Sequence, residues 1–155
     1  MKKLEEFFDL DFNDKGLLET ALTHSSYANE NNCPSNERLE YVGDAVLDLL
    51  MGEYLYRKFP LNNEGDLTKK RAKNVCESAL VEYAKECDLK KYLRLGNGEE
   101  KSGGRDRVAV QADAFEALIG ATYIDKGLQE CRKIFDKVVV MIVEDERDDN
   151  FVDYK

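Results

Sequence analysis

Residues 37–50 read ERLEYVGDAVLDLL. Their apolar residues recur at helical spacing. Ser35 or Asn36 can cap a helix that runs to about Lys58, ahead of Pro60. Glu37, Glu40, Asp44 and Asp48 follow one another at steps of three, four and four. All four carboxylates therefore fall within about 80° of one another, on a single stripe. Like charges one turn apart repel by roughly a few tenths of a kcal/mol per pair. A solvated helix would answer each acid with Lys or Arg at i+4. Here the i+4 partners of Glu37, Glu40 and Asp44 are Tyr41, Asp44 and Asp48, and Arg38 is the only cation in the run. Leu39, Val42, Val46, Leu49 and Leu50 form the face opposite the acids, while Tyr41, Ala45 and Leu47 flank them. A helix apolar round so much of its circumference belongs in an interior, with one polar seam.

A second seam lies in QADAFEALIGATYID, residues 111–125. Asp113 and Glu116 are i and i+3 on an otherwise apolar helix, and neither has a Lys or Arg within four residues on either side. Gly120 and Ala117 lie near the same face, as Gly43 lies beside Asp44, so another helix or a ligand can approach closely. Two apolar helices with unpartnered acids beside glycines are best explained if the seams face each other. Carboxylates converging in a partly buried site require a cation. All-oxygen ligation suits Mg²⁺, with Mn²⁺ as a substitute, over zinc. His24 is the only histidine and no cysteine lies near the acids. An ion held in this way works on phosphate esters. A glycosidase pair would instead need two carboxylates in different environments.

The rest of the chain also reads as helices, an all-α domain with only two prolines. Short helices are expected around Leu4 to Phe8 and over Asp14 to Thr23, then a polar loop over residues 25–35. Further helices follow from Glu64 to Val75, capped by Asn62 or Asn63, and from Ser78 to Glu86. Residues 95–107, glycine-rich and basic, read as a mobile surface loop; no strand precedes them and no GKS or GKT is present, against a phosphate cradle. Two last helices, Val108 to Lys126 and Leu128 to Glu146, meet at Gly127. His24 reads as a structural hydrogen-bonding residue.

Net charge is −9, which taken alone speaks against nucleic acid. The acid is uneven, however. The segment from Glu144 onward supplies −4 of it, whereas bases cluster at Lys69, Lys70, Arg71 and Lys73 and at Lys101, Arg105 and Arg107. Four cysteines without CxxC spacing suit a reduced, cytoplasmic chain. No signal peptide is evident, and the apolar run VVVMIV is too short to span a bilayer.

The motifs NERLEYVGDAVLDLL, ALTHSSYANE, EGDLTKKRA, LGNGEEKSGGRDR and ADAFEALIGATYID, spread along the chain from residue 21 to residue 125, resemble the ribonuclease III family. The family's usual signature reads ERLEFLGDAVL, so Tyr41 stands where Phe is common and Val42 where Leu is. The resemblance implies an all-helical, homodimeric catalytic domain over residues 1–147 that cuts double-stranded RNA with Mg²⁺. It implies 5′-phosphate and 3′-hydroxyl products and a part in rRNA and mRNA processing. It places metal ligands at Glu40, Asp44, Asp113 and Glu116, with Asp44 and Glu116 catalytic. Glu37 and Glu64 become accessory acids near the cleavage site, and Tyr41 a dimer-interface residue. Asp48 lies outside that set and reads as polar helix surface. Residues 148–155 resemble a linker leading to a double-stranded RNA-binding domain, which would supply much of the basic affinity. The alternative is an inactive family member serving as an RNA-binding or ribosomal scaffold; such a protein should lack one of the four acids, and all four are present.

Overall fold

The computed structural model describes residues 1–150. In chain order the α-helices are α1 (Lys2–Phe8), α2 (Lys15–Ala21), α3 (Ser25–Asn31), α4 (Glu37–Lys58) and α5 (Glu64–Val75). They continue with α6 (Glu77–Glu86), α7 (Asn97–Lys101), α8 (Val108–Lys126), α9 (Leu128–Ile134) and α10 (Met141–Asn150). Phe135–Val140 is π-helical and joins α9 to α10 as one rod. Among the described residues there is no strand, only a parallel bridge between Thr23 and Arg94. The rod reaches past the boundary at 147 drawn from the sequence, and the end of the expected linker, residues 151–155, lies outside the described residues.

α8 is the central element. Almost every residue from Val110 to Thr122 is buried, including Phe115, Ala117, Leu118 and Ile119, because α2, α4, α6 and α9 all pack around it. Against α4 the two backbones meet directly. A methyl group at Gly43 would collide with the Glu116 carbonyl, and one at Gly120 with the Leu39 carbonyl. Only hydrogen fits at either position.

Local chemistry sets the ends of the helices. Asn63 and Asp66 form a reciprocal capping box on α5, with Asn63 Oδ1 accepting from the Asp66 N–H at 2.8 Å. Asn36 precedes α4, but its side chain donates to the Ala21 carbonyl at 3.1 Å. The Ser35 hydroxyl accepts instead from the Glu37 N–H, at 3.3 Å.

Two expected loops are helical. Residues 25–31 form α3 because the His24 ring accepts from the Ser26 N–H, and Asn32 closes the helix in the left-handed region at φ +53°. Only Ala28 is buried there, so no apolar period marked the helix in the sequence. The glycine-rich stretch holds α7 and a 3₁₀ turn at Gly104–Asp106. The Glu30 carboxylate accepts from the Asn97 N–H, and the Arg105 Nη1 donates to the Leu93 and Lys90 carbonyls at 2.9 and 2.6 Å. These are tertiary contacts that no local pattern encodes.

The faces of α4 are also corrected. Leu39, Gly43, Val46, Leu47 and Leu50 are buried, so Leu47 belongs to the core rather than flanking the acids. Leu49 is 57% exposed, and with Tyr41 (81% exposed) and Ala45 it forms an apolar stripe on the side away from the core. The acids run between these two sides.

Gly43→Ala and Gly120→Ala should each destabilise the protein by about 3 kcal/mol, at the upper end of overpacking costs, because backbone cannot yield as a side chain does. Urea midpoints read this; an unchanged midpoint would mean that α4 and α8 do not touch at these glycines.

Candidate metal centre

The seams of α4 and α8 do face each other. One carboxylate oxygen from each of Glu40, Asp113 and Glu116 lies within 4.8 Å of the others. Asp44 is more exposed and stands outside that tight group, but it lies close enough to act on the Glu116 carboxyl. Glu116 is only 7% exposed, an acid set almost fully into the helix packing.

Burial and mutual repulsion govern the protonation of this group. Burial, with Asp44, Glu40 and Asp113 nearby, pushes Glu116 up to about 9. Burial and the charge on Asp113 push Glu40 up to about 7. Burial also raises Asp113, with Glu77 and Glu37 nearby. No Lys or Arg appears among the groups acting on these three carboxyls. Without a cation, the site holds protons that carboxylates ordinarily give up near neutral pH.

Of the accessory acids, Glu37 lies close enough to act on both Glu40 and Asp113. Glu64 heads α5, exposed, and is not among the groups acting on the cluster. Two neighbours of Asp113 escape a reading of the acid stripes: Glu77, in the first turn of α6, and His24. Neither has a helical period in common with the seams; the chain turns that bring them close are tertiary. Asp48, read as polar surface, is half-buried, and desolvation raises it. The donor set fits a hard divalent ion: oxygen ligands only, on two packed helices, with net negative charge to neutralise.

Comparison with known proteins shows the family. A family model described as Ribonuclease-III-like matches residues 14–143. The chain belongs to the ribonuclease III family of endonucleases, the family its motifs resemble. It is 46% identical to Ribonuclease 3 of Streptococcus uberis, over 100% of this chain and 70% of that one. It is 47% identical to Ribonuclease 3 of Streptococcus pyogenes over the same shares. Among solved structures, the nuclease domain of ribonuclease III from Campylobacter jejuni superposes with a TM-score of 0.84 at 40% identity, covering 90% of this chain and 95% of that one. Dicer from Pichia stipitis matches with a TM-score of 0.65 at 28% identity, over 94% of this chain and 62% of that one.

The raised carboxyls give a pH signature. Between the ordinary carboxylate range and about 9, folded Glu116 keeps a proton that the unfolded chain releases. Its contribution is therefore fully present at low pH and is lost as pH rises through that window. In EDTA, urea midpoints should fall from pH 5 to pH 9, and Glu116→Gln should flatten the fall. A wild-type midpoint that rises over this range would contradict the buried, cation-free cluster.

Proposed function

We propose that this chain is an Mg²⁺-dependent endoribonuclease that hydrolyses phosphodiester bonds of double-stranded RNA, leaving 5′-phosphate and 3′-hydroxyl ends, in rRNA and mRNA processing in the cytoplasm. The observation that carries this reading is the convergence of Glu40, Asp113 and Glu116 from two packed helices with no protein cation among them. Glu40, Asp113 and Glu116 would each offer one oxygen to the ion, and Asp44, beside Glu116, would complete the ligand set. A divalent ion held there would supply Lewis acidity toward the scissile phosphate and toward a water beside it. The raised carboxyls must give up their protons to serve as ligands, so metal affinity grows as pH rises. No side chain need act as the nucleophile. The His24 Nδ1 is already engaged by the Ser26 N–H and hydroxyl, at 3.1 and 2.8 Å. Glu37, beside Glu40 and Asp113, extends the acidic rim toward the RNA, and Glu64 does so from α5.

The same reading makes the protein a homodimer. Tyr41, Ala45 and Leu49 turn an apolar stripe away from the core, and a second copy is the occupant that would cover it. A two-fold dimer sets two identical sites against two antiparallel RNA strands. The Campylobacter jejuni nuclease domain, 40% identical, has a structurally flexible region involved in dimer formation. Among the described residues no helix is long and apolar enough to cross a membrane.

Incubation with long double-stranded RNA tests the activity. Cleavage should require Mg²⁺, stop in EDTA and disappear in Glu116→Gln, while that variant still binds the duplex in Ca²⁺. Near-normal cleavage by Glu116→Gln at low Mg²⁺ would overturn the assignment of the site. Light scattering should give a dimer at micromolar concentration and a monomer for Leu49→Asp; a monomeric wild type would refute the interface.

A further inference from the structure

The chain's cations divide sharply by what they already hold. Arg105 is engaged by two backbone carbonyls and Glu100, Arg107 by Glu99 and Ser102, and Lys90 by Asp106. Both arginines of the glycine-rich stretch are thus paired with acids of the same stretch. Arg57 and Arg132 bind Glu53, and Arg94 binds Thr23 and Glu19. Among the arginines from Arg38 to Arg132, those that make no hydrogen bond or ion pair are Arg38 and Arg71. Arg38 shares the side of α4 that carries Tyr41 and Ala45. Arg71 is different.

Arg71 projects from α5 onto α4. Its Nη1 lies 3.8 Å from where a Cβ would stand on Gly52, so the guanidinium rests over a residue with no side chain to block it. Its charge acts on half-buried Asp48, which also feels Asp44. Asp44, Asp48 and Gly52 are successive turns on one side of α4, about 12 Å from first to last at 1.5 Å per residue. On α5 itself, Glu64, Thr68 and Arg71 follow at steps of four and three, so Arg71 shares a stripe with the accessory acid Glu64. An exposed arginine with its donor fork open therefore stands at the edge of the acidic seam, beyond the carboxylates that converge. A long cation would be expected to close onto Asp48 as an ion pair, and Arg71 does not.

Resting on the endoribonuclease reading, we propose that Arg71 binds a backbone phosphate flanking the scissile one, holding the RNA strand in line with the acidic cluster. The ligand chemistry is a phosphodiester oxygen pair, which a guanidinium grips in bidentate fashion. The interaction offsets the repulsion that a chain of charge −9, with acids crowded at its site, presents to RNA. Lys69 and Lys73 lie on the other side of α5 and do not share the task.

The test is the salt dependence of duplex RNA binding in Ca²⁺, measured over a KCl series. The proteins are wild type, Arg71→Gln, Arg71→Lys and Lys69→Gln, with melting curves to confirm that each is folded. Arg71→Gln should bind more weakly and reduce the slope of log K against log salt by about 0.7–0.9 for each phosphate it no longer neutralises. Arg71→Lys should recover the slope but not the full affinity, since it restores charge without the fork. Lys69→Gln makes the same change in net charge and should keep the wild-type slope. If Arg71→Gln keeps the wild-type slope, or Lys69→Gln reduces it as much, while the wild type still cleaves, the assignment of Arg71 is wrong and the endoribonuclease reading stands. A wild type that neither binds nor cleaves duplex RNA overturns both.

Discussion

Everything at the candidate site follows from one contact, the meeting of the α4 and α8 backbones at Gly43 and Gly120. Helices packed through side chains lie 8–10 Å apart, as a rough range. Here each glycine lies against a carbonyl of the other helix, so the carboxylates one turn away are drawn together by backbone alone. Glu40 on α4 reaches Asp113 and Glu116 on α8, all three from within regular helices. The depth of Glu116 is a by-product of the same closeness, since its own carbonyl lies against Gly43.

Closeness has an electrostatic cost, and the protein's own residues do not offset it. Three acids share a small volume, and burial and mutual repulsion raise all three, Glu116 and Glu40 well above the usual carboxylate range. Arg105 and Arg107 are instead paired with Glu100 and Glu99 of α7. A fold selected only for stability would have paired these acids; functional sites commonly trade stability in this way.

How much of this was legible in the sequence depended on the range of the interaction. The seams of α4 and α8, the glycines beside them and the boundaries of α5 and α8 all rest on spacing within a helix, which the sequence displays directly. The reading failed where structure is made by partners far along the chain. α3 and α7 bury almost nothing, so their helicity depends on the His24 ring, Glu30 and the Arg105 clamp rather than on an apolar period. The exchange of Leu47 and Leu49 between core and surface has a similar origin. Both are leucines, and only the position of α8 tells which side of α4 is inward. Glu77 approaches Asp113 through the turn between α5 and α6, for which helical spacing offers no sign.

The π-helical segment Phe135–Val140 has a separate consequence, concerning chain length. A π turn takes up one more residue than an α turn for the same advance around the axis. Upstream, Cys131 and Ile134 are fixed in the core; downstream, Val143 is buried and Glu144 is bound by Tyr54 and by Lys58. Both ends of the rod are thus pinned in azimuth, and the surplus residue is stored between them. Deleting one residue within the segment would let it relax to α-helix with both ends still facing their partners. The same deletion in α9 or α10 would turn one end by about 100°. The last helix therefore has one place where its length can change by a single residue without altering what it touches.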